Sequence, residues 1–286
     1  MVGMEHRTRP VHPALRPYLH DLIGYAYPGA APELHRGLPS RYLTLVITLD
    51  GPLGVAWPGG PLQTYDAVVG GLHSTAVHVG ATPSRAGVQV SLTPAAARTL
   101  LGLPPGELAS LNVGLDEVLG RPARVLTDQL REAGSWGERM DLIERLFLEH
   151  LARERAPGGV RPEVSWAWRR LCGTDGTIGV QKLAAEVGWS RRHLTDRFRS
   201  EFGLAPKVAA RVLRFERATR QLRLRPQTRL GELSAAVGYA DQAHLTREFQ
   251  AIAGCSPRQW MSEELPNLQD CPPPGAAESE VWTSRM

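Results

Sequence analysis

The sequence predicts an α+β chain: an N-terminal antiparallel β-barrel or sandwich with flanking helices, then an all-α domain of two helix-turn-helix units joined by a long helix. Three observations carry that expectation. Residues 41–92 fall into short β-branched or alternating stretches separated by turn signals, the spacing of an antiparallel sheet system rather than of βαβ units. Residues 94–153 then carry apolar side chains at helical spacing. Finally, a block repeats near the C-terminal end. Leu183, Val187, Gly188, Trp189, Leu194, Phe198, Gly203 and Pro206 return as Leu233, Val237, Gly238, Tyr239, Leu245, Phe249, Gly254 and Pro257. The offset is 50 residues through the glycine–aromatic pair and 51 after it, so the second copy has one extra residue in its turn.

Taken in order, strands are predicted over 42–49, 54–57, 65–69, 75–79 and 87–92, punctuated by Gly51-Pro52, Gly59-Gly60, Gly70-Gly71 and Thr82-Pro83. A helix over 94–101 opens on Pro94 with Thr93 as N-cap. Helices over 121–133 and 138–153 form a hairpin broken at Gly134-Ser135. On the second of these, Leu142, Ile143, Leu146, Phe147 and Leu151 make one apolar stripe, which either packs on the barrel or meets a second copy of the chain. The domain boundaries follow: residues 1–154 form one domain, 155–162 a Pro/Gly-rich linker, 163–262 a second domain and 263–286 a disordered tail. A linker of this length spans at most about 30 Å, so the two halves are expected to stay close but reorient freely.

Charge is divided unevenly. Residues 160–262 hold 18 Lys+Arg against 9 Asp+Glu, while the remainder holds 15 against 20, so only the C-terminal part suits a polyanion. No stretch is apolar for long enough to span a membrane, and the N-terminus lacks the apolar core of a signal peptide. Cys172, Cys255 and Cys271 have no metal-ligand or disulfide-framework spacing, which fits a reducing cytoplasm. No metal-ligand set, cofactor motif or catalytic nucleophile is legible, so no metal, cofactor or enzymatic activity is expected.

The duplicated block has the chemistry of DNA reading, since the second helix of such a unit enters the major groove. The segment 206–224 reads as one connecting helix about 18 residues long, roughly 27 Å, a rod able to hold two reading helices near one DNA turn apart. In the first reading helix Ser190 is the N-cap, and Arg191, Arg192, Thr195, Asp196 and Arg199 face outward. In the second, capped by Asp241, the outward residues are Gln242, Ala243, His244, Thr246 and Arg247. Arg192 and Arg247 suit guanine, Gln242 adenine and Thr195 a thymine methyl; Asp196 either accepts from cytosine or orients Arg192 or Arg199.

From about Val164 to Met261 the chain resembles the double helix-turn-helix domain of AraC/XylS-type transcription regulators. The resemblance rests on the two glycine–aromatic turns, Leu-x-x-x-Phe in both reading helices, Gly-x-x-Pro after each, Arg214-Phe215-x-x-Ala218 and Pro257-x-x-Trp260. Ala209 and Ala210 stand where that family usually has larger apolar residues, and Met261 where it commonly has arginine. The resemblance places base reading on Arg192, Thr195, Asp196, Gln242, Ala243 and Arg247. It also implies an N-terminal domain that binds a small-molecule effector or forms a homodimer, with double-stranded DNA and RNA polymerase as partners. Arg41, His73, His78 and Arg85 are the candidate effector contacts. Two rival readings are an N-terminal half that only dimerises or contacts proteins, and an enzyme tethered to DNA; the alkyl-transfer version needs N-terminal cysteines, and all three lie beyond residue 170.

Overall fold

A computed structural model describes residues 5–26, 34–80, 86–153 and 159–268. Among these residues, ten strands build two antiparallel sheets. The larger runs in the order β1 (Glu5–Thr8), β2 (Leu19–Ala26), β9 (Ala86–Leu92), β4 (Leu43–Thr48), β7 (Ala67–Gly70), β10 (Asn112–Gly114). The smaller runs β3 (Leu34–Gly37), β8 (Val77–Gly80), β5 (Leu53–Ala56), β6 (Gln63–Tyr65). Alternation along β4 and β9 points Leu43, Leu45, Ile47, Val88, Val90 and Leu92 inward, where all are fully buried.

Two sequence expectations change here. The strand expected over 65–69 is two strands in different sheets, because the chain turns a corner at Asp66. There the Asp66 carbonyl accepts both the Thr48 backbone N–H and the Thr48 hydroxyl, each at 2.9 Å. The stretch 75–79 is strand only from Val77, since the Ala76 N–H is used elsewhere. Strands β1, β2, β3 and β10 have no counterpart in the sequence reading.

Helical segments follow. The turn α1 (Pro94–Ala96) continues into a wider π-type turn, Ala97–Leu101. Thr93 sits at the N-cap but sends its hydroxyl to the Pro17 carbonyl, so the expected capping bond is not made. Helices α2 (Leu115–Leu119), α3 (Arg121–Glu132) and α4 (Trp136–Ala152) come next, α4 opening on Ser135, whose hydroxyl accepts the Glu138 N–H. The α4 stripe packs mainly on the barrel: Ile143 and Phe147 are wholly buried with Met140, while Leu142, Leu146 and Leu151 are half-buried against the same core.

The C-terminal half is α5 (Pro162–Gly173), α6 (Val180–Glu186), α7 (Arg191–Phe202), α8 (Pro206–Leu224), α9 (Leu230–Val237), α10 (Gln242–Ala253) and α11 (Pro257–Leu268). The connecting helix α8 has the predicted span. Ala209 and Ala210 are buried where the turn between α5 and α6 crosses α8, and a β-carbon at Gly176 would lie 2.2 Å from the Ala210 carbonyl. Small residues are what that crossing admits.

Helix α11 continues six residues past the expected domain end. Its Glu264 is 1% exposed and bound to His35 and Arg36 of β3, a contact invisible to local pattern. The rest of the tail (269–286, with Cys271), Arg85, the Thr82-Pro83 turn and linker residues 154–158 lie outside the described residues. The halves share side chains rather than merely a tether. One apolar core runs from Leu45 and Leu92 through Leu100 and Phe147 to Leu171, Leu194, Phe198 and Phe202.

Candidate nucleic-acid interface

Each reading helix is built by the same local devices. Gly188 and Gly238 adopt φ of +71° and +84°, the left-handed turn that ends α6 and α9 without a Cβ clash. The Ser190 hydroxyl accepts the His193 N–H at 3.2 Å, and the Asp241 carboxylate accepts the His244 N–H at 2.6 Å, so both helices carry the predicted N-caps. Leu194 and Phe198 of α7, like Leu245 and Phe249 of α10, are fully buried, which leaves the opposite face outward.

On α7, Arg191, Arg192, Asp196 and Arg199 are exposed and Thr195 is half-buried; Arg197, absent from the sequence reading, joins that surface. On α10, Gln242, Ala243 and Arg247 are exposed. His244 and Thr246 are turned back on their own unit. The Thr246 hydroxyl donates to the Gln242 carbonyl. The His244 ring stands edge-on to Tyr239 with centroids 5.1 Å apart, and its Nδ1 accepts from the Ala240 N–H at 3.4 Å. The first unit repeats that arrangement with Trp189 and His193, centroids 4.5 Å apart. This paired aromatic–histidine lock was present in the repeat, four residues apart in one copy and five in the other.

Among the described residues, no hydrogen bond or ring contact joins the effector candidates Arg41, His73 and His78 to one another. Arg41 is engaged between the halves: Nε donates to Glu216 at 2.7 Å, one terminal nitrogen to Asp175 at 2.9 Å and the other to the Cys172 carbonyl at 3.4 Å. Burial opposes its charge, but those two carboxylates keep it firmly protonated. Burial lifts the Glu216 carboxyl above its ordinary range in spite of Arg41, and lifts the Cys172 thiol to about 12, so that thiol is unreactive at neutral pH. His73 follows β7, edge-on to Trp57, with Nδ1 2.7 Å from the Thr75 carbonyl. His78 lies on β8, paired with Arg36 and Ala56.

Three further attachments join the halves, and nothing in the local sequence announced them. Arg98 grips Glu201 of α7 in two-pronged fashion, Nε to Oε1 at 2.8 Å and a terminal nitrogen to Oε2 at 2.6 Å. His35 and Arg36 hold Glu264 at 2.7 and 3.1 Å, with Arg36 also reaching Glu263 at 2.7 Å. The Ala76 N–H donates to the Ile252 carbonyl at 2.6 Å. Among the described residues no cluster of three or more His, Cys, Asp or Glu could hold a metal, and no helix is long and apolar enough to cross a membrane.

Comparison with known proteins bears on the same segment. Residues 183–263 match the family described as "Helix-turn-helix domain". The chain is also 39% identical over 83 residues to the F1 operon positive regulatory protein of Yersinia pestis, and 29% identical over 84 residues to the HTH-type transcriptional regulator MtrA of Neisseria gonorrhoeae. These alignments take in 29% of this chain and 27% and 28% of those proteins, so the chain matches about a quarter of its relatives' length. Among solved structures, ToxT from Vibrio cholerae O395 aligns over 85% of this chain and 96% of its own, at 10% identity and a TM-score of 0.48. Residues 183–263 are a helix-turn-helix domain.

Proposed function

We propose that the whole chain is a sequence-specific, DNA-binding transcription regulator of the cytoplasm, not an enzyme, and that its N-terminal half answers to a small molecule. The observation that carries this reading is the placement of the two reading helices. Both turn their N-terminal turns to solvent, with Arg191, Arg192, Gln242 and Arg247 exposed, while the N-terminal half touches the last turn of each, through Arg98 on Glu201 and the Ala76 N–H on the Ile252 carbonyl. Side chains in those first turns are the ones that reach base edges. Arg192, Thr195, Asp196, Gln242, Ala243 and Arg247 are the proposed base readers, with Arg191 and Arg199 on phosphates. RNA polymerase is the partner a regulator of this class implies.

Mobility shifts on selected duplexes test it. Affinity falls steeply with salt and persists over competitor only for the selected sequence. Binding of all duplexes alike at every salt concentration overturns it.

The effector part of the proposal rests on contact between the N-terminal half and both reading helices, a route for binding energy to reach DNA. Since the halves share a core, the full chain is the right target for a thermal-shift screen, where an effector at 100 times its Kd adds about 2.7 kcal/mol. Homodimerisation would use the half-buried Leu142, Leu146 and Leu151 of α4. Light scattering that finds a monomer at tens of micromolar removes that part.

A further inference from the structure

The C-terminal ends of both reading helices rest on the same piece of the N-terminal half. The last carbonyls of a helix have no partner within it, and cations near them are favoured by the helix dipole. At the end of α10 the Ile252 carbonyl takes the Ala76 N–H at 2.6 Å. At the end of α7, Arg98 holds Glu201, and the turn Pro105–Glu107 lies so close that a β-carbon on Gly106 would sit 3.0 Å from both the Ser200 and Glu201 carbonyl oxygens.

The two contact points are not independent. Residues 71–76 and 104–111 are stitched together by Gly71 N–H to the Leu111 carbonyl at 3.0 Å and Ser110 N–H to the Leu72 carbonyl at 2.9 Å. They meet so closely that a β-carbon on Gly71 would fall 1.8 Å from the Leu108 carbonyl oxygen. Leu72 and Leu108 are buried beneath, and Ser110 holds a φ of +58°, uncommon for a residue with a side chain. One loop continues from β7 and the other leads into β10, neighbouring strands of the larger sheet.

We infer that these two loops form one rigid ledge that sets how the reading helices stand relative to each other, so that Gly106, Arg98 and Ala76 are positioning residues for DNA recognition although none faces DNA. The connecting helix α8 fixes the separation of the two units along one axis; the ledge fixes their remaining freedom. A shift of β7 against β10 is thereby delivered to both reading helices at once. The inference rests on the two-headed DNA reading proposed above.

The test is spacing discrimination by the full chain. The probe is a duplex that the wild type selects from a random-sequence pool, compared with the same duplex carrying extra base pairs between its two protected segments. Gly106→Ala crowds the α7 end, and Ala76→Pro deletes the N–H that holds the α10 end. Each is expected to shrink the wild-type preference for native spacing by about 2- to 30-fold, the usual size of such couplings. Folded variants that discriminate as the wild type does overturn the ledge while leaving DNA reading intact. Arg98→Gln, which leaves the backbone untouched, is read by the same criterion if Gly106→Ala does not fold. A wild type that selects no two-part site overturns the DNA reading itself, a separate and visible failure.

Discussion

The two helix-turn-helix units are near copies in their local build and unlike in what supports them. Leu194, Phe198 and Phe202 of the first lie in the core that also holds the barrel, with Trp168 tilted against both phenylalanines. The second encloses its own core of Phe215, Leu233, Leu245, Phe249, Ile252 and Trp260, and among the described residues of the N-terminal half Leu38 is the one apolar side chain packed against it. Polar contacts do the rest: Glu264 with His35 and Arg36, and Ala76 with Ile252. A duplicated motif therefore does not bring duplicated coupling. Apolar burial is non-directional and strong, whereas the polar attachment of the second unit responds to pH and salt.

The sharpest way to break this comparison is a matched pair of core deletions. Phe198→Ala and Phe249→Ala should each cost about 3–5 kcal/mol at their site. Hydrogen exchange should then differ by region, the first accelerating β-strands together with α5–α7, the second α9–α11 with the barrel unchanged. The same regional pattern in both variants would dissolve the distinction.

Next in size is DNA reading. Arg192→Ala and Arg247→Ala should each weaken the cognate duplex by about 1–3 kcal/mol with thermal stability unchanged. Equal losses on random DNA would reassign either residue to phosphate contact.

A smaller effect concerns Glu264. Burial raises its carboxyl, but hydrogen bonds and charge from His35 and Arg36 outweigh that and hold it below the ordinary 4.5. The folded chain thus binds this proton less readily than the unfolded one, so the contribution is present above about 4.5 and lost as pH falls toward the folded value. The stability gap between wild type and Glu264→Gln should narrow over that acid window in thermal melts. A gap that widens would contradict the assigned hydrogen bonds.

The smallest expected change is Tyr239→Phe. The Tyr239 hydroxyl is buried without a hydrogen-bond partner, so its removal leaves no group newly stranded. The unfolding free energy from denaturant titration should fall by no more than about 0.5 kcal/mol, or rise. A larger loss would mean that the hydroxyl has a partner in solution.

What short range can encode was legible in the chain. Glycine–aromatic turns, Ser190 and Asp241 caps, buried Leu/Phe pairs and the span of α8 are set within a few residues of each other, by backbone sterics, capping and helical periodicity. The sequence also separated a basic C-terminal part from an acidic remainder, and with it the class of partner. What it left illegible depends on distant pairing. The corner at Asp66, the early strands, the extra turn of α11, the consumption of the α4 stripe by the barrel and the engagement of Arg41 all arise from residues far apart in the chain. An arginine's partner has no local signature, since a guanidinium on the surface and one clasped by Glu201 or Glu216 look alike in sequence. Which arginines bind the chain to itself and which stay exposed on α7 and α10 is settled by the fold, because that choice is made by burial against the other half.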